Sequence, residues 1–352
     1  MKIAQIAPLA ESVPPRLYGG TERVVSYLTE ELVRLGHDVT LFASGDSETS
    51  ATLVAGAQRA LRLDPRVKDP IAHLTLMLEL VRQRAHEFDV LHFHVEHVHL
   101  PLFRPIARKT VTTMHGRLDG PDLPPLYREF SDMPLVSISD SQRRPLPFAN
   151  WVGTVHHGLA REVCPFNPAF NASARGGYFA FLGRVSPEKG VERAIDIACR
   201  ANVRLRIAAK VDRVDEDYFR GRIVPLLGQP GIEFIGEVDE AQKPGFLGNA
   251  AALFFPIDWP EPFGLAMIEA MSCGTPVIAW ANGSVREVVE DGVTGFVVDS
   301  IDAALAALDK AARLDRLRVR SRFEERFSAA RMAQDYLSVY RAPGRRRAIA
   351  AA

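Results

Sequence analysis

Two glutamates eight positions apart, Glu261 and Glu269, bracket the start of a helix and offer carboxylates to a hydroxyl-rich ligand. Pro262 and Gly264 favour a turn, residues 265–271 read as helix, and Gly274-Thr275-Pro276 ends it ahead of a strand at 277–279. Glu261 is therefore expected on the loop above the helix-start amides of Phe263, Gly264 and Leu265, a position that suits anions and hydroxyls. Glu269 is expected one turn deeper among apolar neighbours. An ionised carboxylate there needs donors, and a nucleotide ribose would supply two hydroxyls. Each glutamate alone also reads as a plain helix-dipole or solvent-facing residue; the full spacing is more specific.

A second constellation is Gly183-Arg184-Val185-Ser186-Pro187-Glu188-Lys189-Gly190, directly after a β-rich run. Ser186 reads as an N-cap and Pro187 as the first helical residue, which puts Lys189 in the first turn. A cation there opposes the helix dipole unless an anion binds. Arg184 and Lys189 together suit a diphosphate, each charged hydrogen bond contributing on the order of 1.5–3 kcal/mol. The plainer reading is a solvated arginine and lysine.

Other polar residues fall at expected strand ends. Gly19 and Gly20 close the first strand-to-helix loop, where paired glycines allow close backbone approach to a ligand. His115 follows the strand at 110–114, where a lone histidine is more often a hydrogen-bonded structural group than a catalyst. In the cluster from His92 to His99, His92, His94 and Glu96 would share one strand face, as metal ligands might; crowded imidazoles at a polar cleft rim are preferred over a metal site. Ser139 and Ser141 follow the fifth strand, beside Asp140-Ser141 as a helix cap. Asp215-Glu216-Asp217 reads as an acidic first helical turn, not a metal-binding pair.

The elements that must hold these groups alternate between β-rich runs and helical periodicity, which signals α/β layering with parallel sheets. Strands are expected at 3–7, 39–43, 90–94, 110–114 and 135–138, with Val24, Val25, Leu28, Leu32 and Leu35 on one helical face closed by Gly36. A linker composition spans Cys164 to Gly177, and the pattern restarts at 178–182, 203–208, 232–235, 251–255, 277–279 and 296–298. Two doubly wound, Rossmann-like units facing across a cleft are expected, with ligands at the carboxyl ends of the strands. The 352 residues suit two domains: 1–165, and 166–325, with the amphipathic closing helix in 326–352.

Acidic and basic residues balance at 43 each, so no global field draws the chain to nucleic acid or to an acidic membrane. Cys164, Cys199 and Cys273 are too dispersed for zinc or a disulfide framework and fit a reducing cytosol. The start of the chain is too short an apolar run for a signal peptide, and no run spans a bilayer. Peripheral contact with an anionic surface through Arg345-Arg346-Arg347 is the weaker reading beside a solvated end.

The stretch from Trp259 to Ala279 resembles the E-x7-E motif of the retaining glycosyltransferases of family 4, which have the GT-B fold. Residues 183–190 look like that family's G-R-x-x-x-x-K-G donor element, Thr113-Met114-His115 its T-x-H segment, and Gly19-Gly20 its glycine-rich loop. The likeness covers nearly the whole chain and is most specific at 183–190 and 259–297. It implies that Glu261 holds donor-sugar hydroxyls, Glu269 the ribose, Arg184 and Lys189 the diphosphate, and that His115 contacts the transferred sugar. His94 and Ser139 would lie on the acceptor side. The resemblance further implies that 1–165 binds the acceptor, 166–325 binds the donor, and the last helix returns to the first domain. The expected reaction is retaining transfer of a hexose from a UDP-glucose-type or GDP-mannose donor to a hydroxyl of a small molecule or glycan, with no metal or other cofactor. A sugar-nucleotide epimerase and a silent nucleotide-sugar binder are the alternatives. His156-His157-Gly158 stands where many members have Asn-Gly-x-Asp, which leaves acceptor geometry and domain closure unassigned. Residues 18–22 with 41–47 share a faint resemblance to pteridine glucosyltransferases.

Overall fold

The computed structural model describes residues 1–16, 19–161, 166 and 177–342, with only the backbone at Leu63. Tyr18, most of the expected linker and the arginine-rich tail lie outside the described residues. Two compact units divide the chain, one made of 1–158 with the segment from Ala329 onward, the other of Leu159–Ser328. The boundary thus falls at 158, not 165, and the return at 329.

In the first unit the strands are β1 (Lys2–Ile6), β2 (Asp38–Ser44), β3 (Thr52–Ala57), β4 (Val90–Phe93), β5 (Thr110–Thr113), β6 (Leu135–Ser137) and β7 (Trp151–Thr154). They form one parallel sheet in the order β3-β2-β1-β4-β5-β6-β7. A parallel sheet is covered on both faces, so its strands read as near-continuous apolar runs. β1 shows this, with one exception: Gln5 is polar and fully buried. One face packs on helix Pro70–Arg84, where Met77, Leu78 and Val81 meet Phe42, Leu91 and Phe93. Helix Gly20–Arg34 buries Val24, Val25, Leu28 and Leu32, as their spacing requires, and touches the terminal helix Ala329–Arg341.

The second unit contains β8 (Tyr178–Arg184), β9 (Leu205–Lys210), β10 (Ile232–Gly236), β11 (Ala250–Phe255), β12 (Val277–Trp280) and β13 (Gly295–Val298). Its parallel sheet runs β10-β9-β8-β11-β12-β13. Phe179 and Phe254 stack across adjacent strands with centroids 4.8 Å apart. Burying side chains of this size stabilises each unit by about 1.5–3 kcal/mol per residue. Arg316 ties helix Arg316–Phe327 to the sheet by donating to the carbonyls of Ala250 and Gly248, 2.8 Å each.

Both sheets reverse their strand order once, between β1 and β4 and between β8 and β11. Diverging connections leave a crevice at the carboxyl ends of such a strand pair. Gln5 and His94 lie beside the first reversal, and Arg184 and residues 256–264 beside the second.

Candidate functional site

In the second unit the chemistry collects on loops leaving β8 and β11. β8 ends at Arg184, and a 3-10 turn follows at Pro187–Lys189. The helix proper is Val191–Ala201, so Lys189 precedes it, and the expected helical first turn at 187–189 is corrected. Ser186 makes no side-chain capping bond, and Gly190 takes the N-cap position instead, in the left-handed region at φ 73°. A Cβ on Gly190 would lie 2.1 Å from the carbonyl oxygen of Pro256, so only glycine lets the two loops touch. The amide of Asp258 also donates to the Glu188 carbonyl at 2.8 Å.

That contact brings Lys189 to Glu261. The ammonium donates to Glu261 Oε2 at 2.5 Å and lies 4.7 Å from the centre of the Trp259 ring, while Trp259 Nε1 donates to the same oxygen at 3.0 Å. Glu261 is buried. Its loop is held from behind: Gly283, at φ 58°, sits where a Cβ would be 2.3 Å from Glu261 backbone atoms. Ser284 donates its amide to the Glu261 carbonyl at 3.0 Å and its hydroxyl to the Phe263 carbonyl at 2.8 Å. Phe263 is buried edge-on to Phe327, and Gly264 precedes helix Leu265–Ser272.

Arg184 faces acids. Its Nη2 donates to Glu188 Oε1 at 2.8 Å, and Asp212 and Asp215 each lie 3.6 Å from the guanidinium. Asp215 ends a 3-10 turn, Arg213–Asp215, and Glu216 opens the short helix Glu216–Tyr218, so the acidic string straddles the junction between the two. Arg184, Glu188 and Asp212 are about a third exposed, so these pairs contribute little to stability.

Glu269 lies within helix Leu265–Ser272 and is buried. The donor that sequence reasoning left to a ribose is in this state Lys243, whose Nζ is 2.6 Å from Glu269 Oε1 and 2.6 Å from Glu240 Oε1. Lys243 carried no sequence signal, because a lysine opening a short helix normally faces water.

The first unit places His94 and His115 together. His115 Nε2 lies 2.9 Å from His94 Nδ1, and His94 Nε2 lies 2.8 Å from Gln5 Oε1. His92, whose ring centre is 4.1 Å from that of His94, bonds Tyr340 and Thr113, each at 2.7 Å. His157 stacks on His115 at 5.2 Å. Arg331 donates to the His156 and His157 carbonyls. The expected strand face holding Glu96 is corrected: β4 ends at Phe93, and Glu96 turns away at φ 55° to accept from the Gly116 amide at 3.2 Å. Among the described residues no three His, Cys, Asp or Glu side chains group as a metal-binding set.

Ser139 is fully buried and accepts from the Gln142 amide at 3.0 Å. Gln142, which the sequence gave no reason to single out, donates to the carbonyls of Met114 and Gly116, 2.8 Å each, and so braces the backbone at His115. No helix forms after Asp140-Ser141; residues 140–145 are turn. Gly19 caps helix Gly20–Arg34 without a side chain, and its carbonyl accepts from Arg23 N at 3.1 Å.

Burial holds these imidazoles neutral. It lowers the pKa of His115 and of His99 to about 3, and takes His94 and His157 well below the usual range.

Residues 18–169 match the model described as Glycosyltransferase Family 4, and residues 167–326 that described as Glycosyl transferases group 1. A phosphatidyl-myo-inositol mannosyltransferase of Mycobacterium leprae (strain TN) is 29% identical over 334 residues, 87% of this chain and 86% of that one. The crystal structure of AviGT4, a glycosyltransferase involved in avilamycin A biosynthesis, aligns with TM-score 0.72 at 23% identity, covering 99% of each chain. Anabaena HepE, in complex with UDP and glucose, aligns with TM-score 0.72 at 19% identity over 96% of this chain and 98% of that one. The chain belongs to the family-4 type glycosyltransferases, with the GT-B fold, and is an enzyme. Among the described residues no helix is long and apolar enough to cross a membrane.

Two measurements check the site. Lys243→Met strands the buried Glu269 charge, so the urea midpoint should correspond to a loss of about 3–5 kcal/mol; adding Glu269→Gln should recover most of it. Additive losses would show that the two side chains do not interact. The neutral histidines set the second. Between pH 6.5 and their folded values the unfolded chain binds more protons, so stability should fall as pH drops from 7 to 5. The slope is up to about 1.4 kcal/mol per unit for each histidine. His99→Gln should flatten that slope; an identical slope in the variant would count against neutral burial.

Proposed function

We propose that this enzyme moves a hexose, with retention at the anomeric carbon and without a metal, from a UDP- or GDP-sugar to a hydroxyl acceptor. The observation that carries the reading is the Lys189–Glu261–Trp259 group beside Arg184, at the carboxyl ends of β8 and β11. An anionic diphosphate arriving there would compete with Glu261 and Glu188 for the two cations. Glu261, released from the full grip of Lys189, would turn an acceptor oxygen to the sugar hydroxyls. As the sugar–oxygen bond breaks, charge grows on the diphosphate, and Arg184, Lys189 and the amides after Pro262 would stabilise it; fixed dipoles in a dry site give the largest such effects.

Glu269 is assigned to the ribose, with Lys243 holding its carboxylate in place. Gly19 and Gly20 are assigned to the donor and His115 to the transferred sugar, with His94 and Ser139 on the acceptor side as buried groups behind it, engaged by Gln5, His115 and Gln142. The donor belongs to the second unit and the acceptor to the first. HepE's complex with UDP and glucose supports a UDP-glucose-type donor, and the mannosyltransferase relative keeps GDP-mannose in view. A glycan or small molecule is the proposed acceptor. The cytosol is the proposed compartment, supported by the free thiols of Cys199 and Cys273.

Lys189→Ala, assayed where the variant is still folded, should lower donor turnover about a hundredfold, although it also strands the buried Glu261 and so lowers the melting temperature. Unaltered turnover would remove Lys189 from the diphosphate site. A thermal-shift series with UDP-glucose, GDP-mannose and ADP-glucose should single out one base, since ligand at a hundred times its Kd stabilises by about 2.7 kcal/mol. Equal shifts, or none, would refute a base-selective donor site.

A further inference from the structure

Strand β1 buries a single polar side chain, Gln5, in the centre of the first sheet. It is fully buried among apolar neighbours, and its amide makes two hydrogen bonds. Oε1 faces His94 Nε2 at 2.8 Å, and Nε2 faces the Tyr340 hydroxyl at 3.3 Å. The two ends of an amide are chemically distinct, since the oxygen only accepts and the nitrogen only donates. The protons on His94 and His115 then follow.

Because Gln5 Oε1 accepts, His94 carries its proton on Nε2. A neutral imidazole has one proton, so His94 Nδ1 is an acceptor, and His115 must donate to it from Nε2 across 2.9 Å. His115 Nδ1 is thereby left with a lone pair. That atom is buried and has no hydrogen-bond partner among the described residues. In the other direction Gln5 Nε2 donates to the Tyr340 hydroxyl, which lies 2.7 Å from His92 Nδ1; His92 Nε2 pairs with the Thr113 hydroxyl at 2.7 Å, and that hydroxyl with Tyr336 at 2.9 Å. The ladder is closed and internally consistent. Reversing the Gln5 amide would move the protons on both imidazoles and turn His115 Nδ1 into a donor.

We infer that Gln5 is a positioning residue that sets the tautomer of His115 two hydrogen bonds away, so that His115 offers Nδ1 as an acceptor to a hydroxyl of the carbohydrate substrate. The inference rests on the reading of His115 as a substrate contact and deepens it. A carbohydrate hydroxyl both donates and accepts, and a substrate-facing histidine that flickers between tautomers holds one donating hydroxyl only part of the time. A buried amide in a central strand, out of reach of water, removes that ambiguity. The burial that keeps His94 and His115 neutral is what makes a tautomer, and not a charge, the quantity to be fixed.

Long-range proton–nitrogen correlation spectra of the whole enzyme, labelled with nitrogen-15 histidine, read the tautomers directly. The expected wild-type spectrum shows an unprotonated Nδ1 and a protonated Nε2 on both His94 and His115. In Gln5→Met the two rings should lose that fixed order, while UDP binding in calorimetry stays as in the wild type. Hydrolysis of UDP-glucose by Gln5→Met should fall about tenfold, the worth of one neutral hydrogen bond. A protonated Nδ1 on wild-type His115, or an unchanged order in Gln5→Met, overturns the inference; the wild-type spectrum decides it alone should the variant fail to fold. If the order changes as expected and UDP-glucose hydrolysis does not, the proton ladder stands and the role of His115 at the substrate is refuted.

Discussion

An ionised side chain taken out of water costs several kcal/mol unless an opposite charge or several hydrogen bonds replace the lost hydration. The second unit is organised around that requirement. Lys189 and Glu261 satisfy each other, Lys243 satisfies Glu269, and Arg184 stands among Glu188, Asp212 and Asp215. The backbone serves these pairings: Gly190 lets one loop touch Pro256, and Gly283 with Ser284 presses the Glu261 loop from the other side. Each of these cations thus already has an acidic partner.

The first unit meets the same constraint by the opposite chemistry. Its buried histidines give up their charge and become links in a neutral hydrogen-bond ladder that joins β1, β4, β5 and the terminal helix. Such a ladder is costly when incomplete and rigid when closed. It also explains why the terminal helix belongs with this unit: Tyr336 and Tyr340 supply hydroxyls that Thr113, His92 and Gln5 would otherwise lack.

Local pattern carried most of the architecture. The eleven expected strands are found within two residues of their expected limits, since parallel strands buried on both faces are continuous apolar runs that stand out between helices. The two that escaped, β3 and β7, are the edges of the first sheet. Both are partly exposed along their length, so Thr52–Ala57 and Trp151–Thr154 carry neither a buried run nor a clean alternation. The turn at 187–189 was misread because a Ser-Pro start suits a helix, and only contact with Pro256 shows why Gly190 interrupts it.

Sequence alone determined the two α/β units, the paired acids Glu261 and Glu269, the cations Arg184 and Lys189, and His94 and His115 at strand ends, because spacing and turn chemistry are local properties. The tertiary structure alone decided their partners. Lys189 meets Glu261 across 72 positions, Gln5 meets His94 across 89 and Tyr340 across 335. Lys243, Trp259, Gln142 and Gln5 matter through contacts made only when distant strands come side by side. Pairing between buried polar groups depends on distance in space, and no window of sequence contains it.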